Sequence, residues 1–308
     1  MIDVLNPGFF TLVQDAGRFG FQEYGMPVSG ALDLDSYRMA NWLVGNGLNE
    51  PVLETTMTGP VLKFHKKTSI GITGANMQPM IDGMSVDMNK TLQVNLGSVL
   101  SFGKLKSGFR SYISFAGGIN VPLEMGSSST YTYAKIGGIK GESLTKGDKL
   151  FLKDNPISKY AEIPLEYQSK YYELLSVRFI EGPEFYLLGK KEQEKMCTNE
   201  FVIGSQSNRM GYRLENVGIN SPESFEMLSS GIVKGTIQLP PNGDAILLLS
   251  DAQTTGGYPR IGNVIQADLS LLGQQKPGDK IRFRKVELEE ANSIAYNKEK
   301  FLGRLFND

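Results

Sequence analysis

The chain of 308 residues holds one cysteine, Cys197, and one histidine, His65. An internal disulfide is therefore impossible, and a reducing compartment is the simplest reading. A zinc site built on three histidines is excluded, and a Ser-His-Asp or Cys-His triad would have to use His65. Cys197 follows a Lys/Glu-rich stretch and reads as inert rather than nucleophilic. Acid–base or charge-stabilising work falls to Asp, Glu, Arg, Lys, Tyr and backbone N–H groups. Charge of one sign is also lacking: the formal net charge is −1. Nucleic acid as a main partner would need a basic excess or stripe, and the short run Lys63 to Lys67 reads as a solvated turn. No stretch approaches the ~20 consecutive apolar residues of a membrane span. The opening MIDVLNPGFF lacks the n-region and apolar h-region of a signal peptide, so a cytoplasmic location is expected. The nucleotide-binding patterns G-x-x-x-x-G-K-[ST] and strand-linked G-x-G-x-x-G are absent as well.

Glycine, by contrast, is abundant, at 35 residues. Closely spaced turns favour a β-rich fold. The segment Met1–Gly30 reads as loop with one apolar run, Phe9–Val13. Asp33 is placed to N-cap a helix that carries Leu34, Tyr37, Asn41 and Val44 near one face and stops at Gly45 and Gly47. From Val61 to Phe151 the chain reads as short strands, among them SIGITGA, SVLSFG and RSYISFAGG, with a turn at Asp82-Gly83. Strand signals return at Leu174–Ile180, Gly235–Leu239 and Ala245–Leu249, the last a continuous apolar run expected to be buried. Lys190–Lys195 reads as a short helix, and Leu288 to Leu305 as an amphipathic one with Leu288, Ala291, Ala295, Leu302 and Leu305 near one face. The length suits two domains, with a boundary near Asp154-Asn155-Pro156: residues 1–155 and 156–308. An internal echo, Gly147-Asp148-Lys149-Leu150 against Gly278-Asp279-Lys280-Ile281, fits a duplicated β-domain, although Gly-Asp turns before strands are common.

Four segments carry polar residues among glycines. In Gln14-Asp15-Ala16-Gly17-Arg18, continuing to Ser29, Asp15 and Arg18 either brace a long loop or clamp an anionic group. Glu54, amid apolar neighbours, is a paired buried carboxylate or one aimed into a pocket. Arg209 and Arg213, with Tyr212 between them, form a carboxylate or phosphate clamp or an exposed arginine pair. Asp251 to Pro259 leaves the apolar run 245–249 as a polar Gly-rich loop. Asp251 is there the best carboxylate candidate, and Thr254, Thr255 and the following glycines are placed to present donors to an oxyanion, or else Asp251 only caps a turn.

The same segments carry a family resemblance. NPGFFTLVQDAGRFG, GMPVSGALD, NWLVGN, FAGGINVPLEMGSSSTY, SNRMGYRL, GTIQLPPNGDAILLLSDAQTTGGYP and PGDKIRF run from Asn6 to Phe283. In this order they resemble the allophanate-hydrolase-subunit-2 family, also called biotin-dependent carboxyltransferase-like. The resemblance implies two cyclophilin-like β-barrel domains with a few helices. It implies, first, the C subunit of an ATP-dependent 5-oxoprolinase, a hydrolase that opens the cyclic amide 5-oxo-L-proline to L-glutamate together with A-like and B-like subunits. The alternatives are a carboxyltransferase moving CO₂ from carboxybiotin to urea, and a regulatory antagonist of a histidine-kinase inhibitor. No biotinylation motif occurs in this sequence, no metal site is visible, and ATP is expected to bind mainly to a partner. On this basis Asp251, Thr254 and Thr255 are expected to position the reacting group. Arg209, Arg213 and Tyr212 are expected to hold the substrate anion, with Asp15, Arg18, Gln14 and Ser29 completing a substrate pocket.

Overall fold

A computed structural model describes residues 1–153, 160–215, 218–220 and 227–307. Two compact units are present: one of Met1–Phe19 and Ser29–Tyr171, the other of Gly20–Val28 and Tyr172–Asp308. The expected boundary at 155/156 lies outside the described residues. The fold is mainly β, as the glycine and turn content implies.

Among its described residues the first unit contains eleven strands: β1 (Ile2–Asn6), β2 (Phe10–Gln14), β3 (Val52–Thr56), β4 (Val61–Phe64), β5 (Thr68–Asn76), β6 (Pro79–Ile81), β7 (Met84–Ser85), β8 (Thr91–Val94), β9 (Val99–Phe102), β10 (Ser107–Phe115) and β11 (Lys149–Leu150). They form a six-stranded sheet, β11-β1-β4-β9-β6-β7, and a five-stranded sheet, β2-β3-β10-β5-β8. Strand β1 corrects the reading of Met1–Gly30 as loop with one apolar run. Ile2 and Val4 alternate into the core, a period-2 signal too short to stand out in sequence. Asp82-Gly83 makes the expected turn between β6 and β7. Both residues have positive φ, 53° and 79°, which matches the Asp-Gly hairpin turn.

The five-stranded sheet has two unlike faces. Val13, Leu53, Ile70, Ile72, Ile113 and Phe115 belong to the apolar core of the unit. The intervening positions face helix α1 (Leu34–Leu43) and are largely polar. Thr73 Oγ1 donates to the Ser36 carbonyl at 2.6 Å, Ser114 Oγ to that of Ala40 at 2.5 Å, and Thr91 Oγ1 to that of Leu43 at 2.6 Å. Three hydroxyls on three adjacent strands thus grip successive turns of one helix. Close approach is possible because Gly71 has no side chain. A Cβ there would lie 2.7 Å from the Ala40 oxygen and 2.8 Å from Ser114 Oγ. Asp33 caps α1 as read from sequence, accepting from the Ser36 N–H at 3.0 Å and from Ser36 Oγ at 2.6 Å.

The second unit is built on a closed barrel. Its strands are β12 (Leu174–Glu181), β13 (Phe201–Ile203), β14 (Gly211–Glu215), β15 (Ser230–Gly231), β16 (Thr236–Gln238), β17 (Ile246–Leu248), β18 (Thr255–Gly256), β19 (Arg260–Val264) and β20 (Lys280–Lys285). The barrel order is β12-β19-β16-β17-β14-β13-β20, closed by a parallel β20–β12 pairing, while β15 and β18 form a separate ribbon. Aromatic packing among Phe179, Phe201 and Phe283 fills the interior, with centroid separations of 5.8 and 5.2 Å. Helices α2 (Lys190–Thr198), α3 (Leu269–Leu272) and α4 (Leu288–Asn307) complete the unit. On α4, whose first residue is Leu288, Ala291, Leu302 and Leu305 are buried as expected, whereas Ala295 is half-buried and Leu288 is 55% exposed.

The internal echo is a structural one. Gly147 and Gly278 have φ of 95° and 90°. Asp148 accepts from the Thr145 N–H at 2.7 Å, and Asp279 from the Lys276 N–H at 3.0 Å. Each glycine N–H then donates at 2.8 Å to a strand carbonyl, Val4 in one unit and Ile203 in the other.

Candidate functional site

In the first unit, Gln14, Asp15 and Arg18 are brought together around the serine-rich loop. Asp15 Oδ1 accepts from the Gly17 N–H at 2.9 Å, from Ser127 Oγ at 2.7 Å and from Ser129 Oγ at 2.5 Å. Its Oδ2 accepts from the Ser128 N–H at 2.5 Å. Arg18, fully buried, donates to the carbonyls of Glu124 at 3.0 Å and Ser129 at 2.9 Å. Gln14 donates to the Thr130 carbonyl at 2.9 Å. Gly137 and Gly138 lie so close to this loop that a Cβ on either would collide with Ser129 O or Thr130 Oγ1. The carboxylate and the guanidinium are thus each bound to the loop, not to one another. Ser29 lies in the left-handed region at φ 56°, 4% exposed, and its hydroxyl has no hydrogen-bond partner among the described residues.

Glu54 is 1% exposed and sits across from Tyr112 in the β3–β10 register. Its Oε2 accepts from the Tyr112 hydroxyl at 2.8 Å and from the Leu32 N–H at 2.9 Å, while Arg110 Nε stands 3.9 Å from Oε1. The Tyr112 hydroxyl accepts in turn from the Asp33 N–H at 2.8 Å. Burial and the neighbouring Glu54 push the Tyr112 phenol well above its usual range. This is the paired buried carboxylate that the sequence left open.

In the second unit, Arg209 and Asp251 meet. Arg209 donates from Nε to Asp251 Oδ2 at 2.8 Å and from Nη2 to Oδ1 at 3.1 Å, a bidentate ion pair with both side chains 6% exposed. The Asp251 N–H closes the contact by donating to the Arg209 carbonyl at 3.0 Å. Arg213 is not part of this pair. Two positions along β14 from Gly211, it lies on the exposed side of the strand. Tyr212 points inward, and its hydroxyl donates to the carbonyls of Gln275 at 2.9 Å and Leu272 at 3.1 Å. Thr254 accepts through its carbonyl from the Ile232 N–H at 3.0 Å, and Thr255 is exposed on the β15–β18 ribbon. Beside this loop lie two buried polar groups without hydrogen-bond partners among the described residues, Ser250 Oγ and Gln238 Nε2. Gly256 makes room for the second: a Cβ there would be 2.7 Å from Gln238 Nε2. A buried donor without a protein partner calls for a water or ligand oxygen to satisfy it. Sequence reading missed Gln238, for which the alternation of GTIQL was the available signal.

A cavity of about 500 Å³ opens in the first unit between α1, β5, the β6–β7 hairpin and residues 168–171. Sequence reading missed it entirely, because its polar residues are scattered from Ser36 to Tyr171 and occupy ordinary strand and turn positions. Among the described residues, no group of three or more His, Cys, Asp or Glu side chains is arranged to hold a metal ion. No helix among them is long and apolar enough to cross a membrane.

With this geometry in place, comparison with known proteins adds the family. The sequence matches the family described as carboxyltransferase domain, subdomain A and B, over residues 24–285. It is 38% identical over 307 residues to the C subunit of the Escherichia coli K12 5-oxoprolinase, covering 99% of this chain and 97% of that one. It is 34% identical to the urea amidolyase of Saccharomyces cerevisiae, covering 95% of this chain but 17% of that protein. The crystal structure of the Kluyveromyces lactis urea carboxylase superposes with a TM-score of 0.92 at 28% identity, over 98% of this chain and 29% of that one. The chain belongs to the carboxyltransferase subdomain A and B family.

Proposed function

We propose that this family member is the C subunit of an ATP-dependent 5-oxoprolinase, a hydrolase that opens 5-oxo-L-proline to L-glutamate with A-like and B-like partners. The observation that carries the reading is the near end-to-end match to a 5-oxoprolinase C subunit, 97% of that relative. Opening a stable lactam with ATP calls for activation of the amide oxygen and then attack by water. The enzyme must hold the substrate carboxylate and stabilise oxyanion charge. The described residues of this chain suit holding and positioning. Arg209 and Asp251 are locked to each other, so in this reading they act as one rigid unit that fixes the loop bearing Thr254 and Thr255. The donor Gln238 is directed toward Gly256. Asp15, Arg18 and Gln14 fix the serine-rich loop beside Ser29. ATP is bound mainly by a partner, and the setting is the cytoplasm. In a family that includes the urea amidolyase relative, the second reading is carboxyl transfer from carboxybiotin to urea.

Co-expression with A-like and B-like subunits, followed by an assay of ATP-dependent glutamate release from 5-oxo-L-proline, tests the choice. Release is expected. No release, together with carboxylation of urea when a biotin-loaded carrier is supplied, would replace the first reading by the second.

A further inference from the structure

The cavity of the first unit is lined by none of the residues expected to form the substrate pocket, although helix α1 and strand β5 contribute to its walls. Of its two charged side chains, Asp87 is already paired with Lys90 at 2.6 Å. Lys106, exposed at the rim, has no ion-pair partner among the described residues. At the floor, Ser36 Oγ donates its proton to Asp33 Oδ2 at 2.6 Å. The Tyr171 hydroxyl stands 3.5 Å from Ser36 Oγ, a contact too long to hold it firmly, and accepts a side-chain hydrogen bond from Ser169, which leaves its own O–H to be donated. Burial pushes the Tyr171 phenol up from its ordinary value, so it stays a neutral O–H donor. On one wall Asn89 donates from Nδ2 to Gln168 Oε1 at 3.0 Å, and Gln168 donates to the Ile163 carbonyl at 2.8 Å. That lock fixes the orientation of the Asn89 amide and turns its nitrogen to the protein, which leaves its oxygen as an acceptor.

A cation at the rim, a phenolic donor at the floor and a fixed amide oxygen on the wall are complementary to three groups of a ligand: a carboxylate, a carbonyl oxygen and an N–H. The geometry points to this cavity as a binding site for a small carboxylate-bearing amide, with Lys106 on the carboxylate and Tyr171 and Asn89 on the amide. The choice of 5-oxo-L-proline as the probe rests on the function proposed above; the site itself rests on the lining.

Calorimetric titration of the full chain with 5-oxo-L-proline and with 2-pyrrolidinone, the same lactam without the carboxylate, tests it. The acid is expected to bind more tightly than the plain lactam. Lys106→Gln is expected to weaken the acid about tenfold, the scale of one charge-assisted hydrogen bond, and to leave 2-pyrrolidinone unchanged. Tyr171→Phe is expected to weaken both, and Lys104→Gln, at an exposed lysine outside the lining, neither. Absence of binding by the acid, or equal binding by wild type and Lys106→Gln, would overturn the assignment. Lactam hydrolysis by the assembled subunits without binding here rejects the cavity and keeps the function. Binding here with an inactive assembly keeps the cavity and rejects the function.

Discussion

Asp251→Ala is the perturbation whose cost the structure sets most directly. Asp251 is 4% exposed and receives two hydrogen bonds from a guanidinium that is itself buried. Removing the carboxylate leaves the Arg209 charge in a low-dielectric site without it, which costs about 3–5 kcal/mol. For a unit of this size about 2–4 °C is lost per kcal/mol, so a fall in melting temperature of roughly 6–20 °C is expected. Replacing both partners by apolar residues, Arg209→Met with Asp251→Leu, removes the buried charge altogether. It is expected to recover most of the loss, giving a coupling of about 2–4 kcal/mol in a double-mutant cycle. Melting by circular dichroism on wild type, Arg209→Met, Asp251→Leu and the double variant closes the cycle, with Asp251→Ala measured alongside. The double variant then separates structure from chemistry: folded, it is expected to lose about 100-fold or more of the assembled activity. An Asp251→Ala protein melting within about 2 °C of wild type would refute the reasoning about the pair, because a buried guanidinium cannot lose its carboxylate without cost.

Two further predictions concern the scaffold. Gly71→Ala puts a methyl group 2.7 Å from the Ala40 carbonyl, and it is expected to push α1 off the sheet and to lower stability by about 1–3 kcal/mol in urea titrations. Glu184, whose carboxyl is held below its usual value by hydrogen bonds from Arg260, contributes stability that is present above the unfolded carboxyl value and is lost as pH falls through the folded one. Wild type and Glu184→Gln are therefore expected to differ in stability at pH 7, and the difference is expected to shrink as pH falls through the lowered folded value; a gap that stays constant from pH 7 down to the acid limit of folding would contradict the ion pair as its source.

What the sequence shows and what it hides follow from the range of the interactions. The Asp33 cap, the Asp82-Gly83 hairpin and the two Gly-Asp turns are local, closed within two to four residues, so residue type alone reveals them. Three of the four partners of the Asp15 carboxylate come from residues 112 to 114 positions away, and the partner of Asp251 from 42 away. Both were visible as polar residues among glycines. That Asp15 would grip a serine loop and Asp251 a neighbouring arginine depends on register, which no local pattern encodes. Arg209 and Arg213 show the same limit. Four residues apart in sequence they suggest a clamp, but Arg213 lies within strand β14 and faces outward, while Arg209 precedes the strand and turns in. The cavity was hidden for a further reason: its groups come from five separate stretches, none with unusual composition.

Reconstitution by omission tests the central claim most directly. A-like and B-like subunits are mixed with and without this chain, separated by gel filtration, and each fraction is assayed for ATP-dependent conversion of 5-oxo-L-proline to glutamate. A stable complex containing this chain is expected, with an interface near the ~1,600 Å² of specific associations, and turnover is expected only in that fraction. Turnover by this chain alone, or undiminished turnover by the other two without it, would contradict the account.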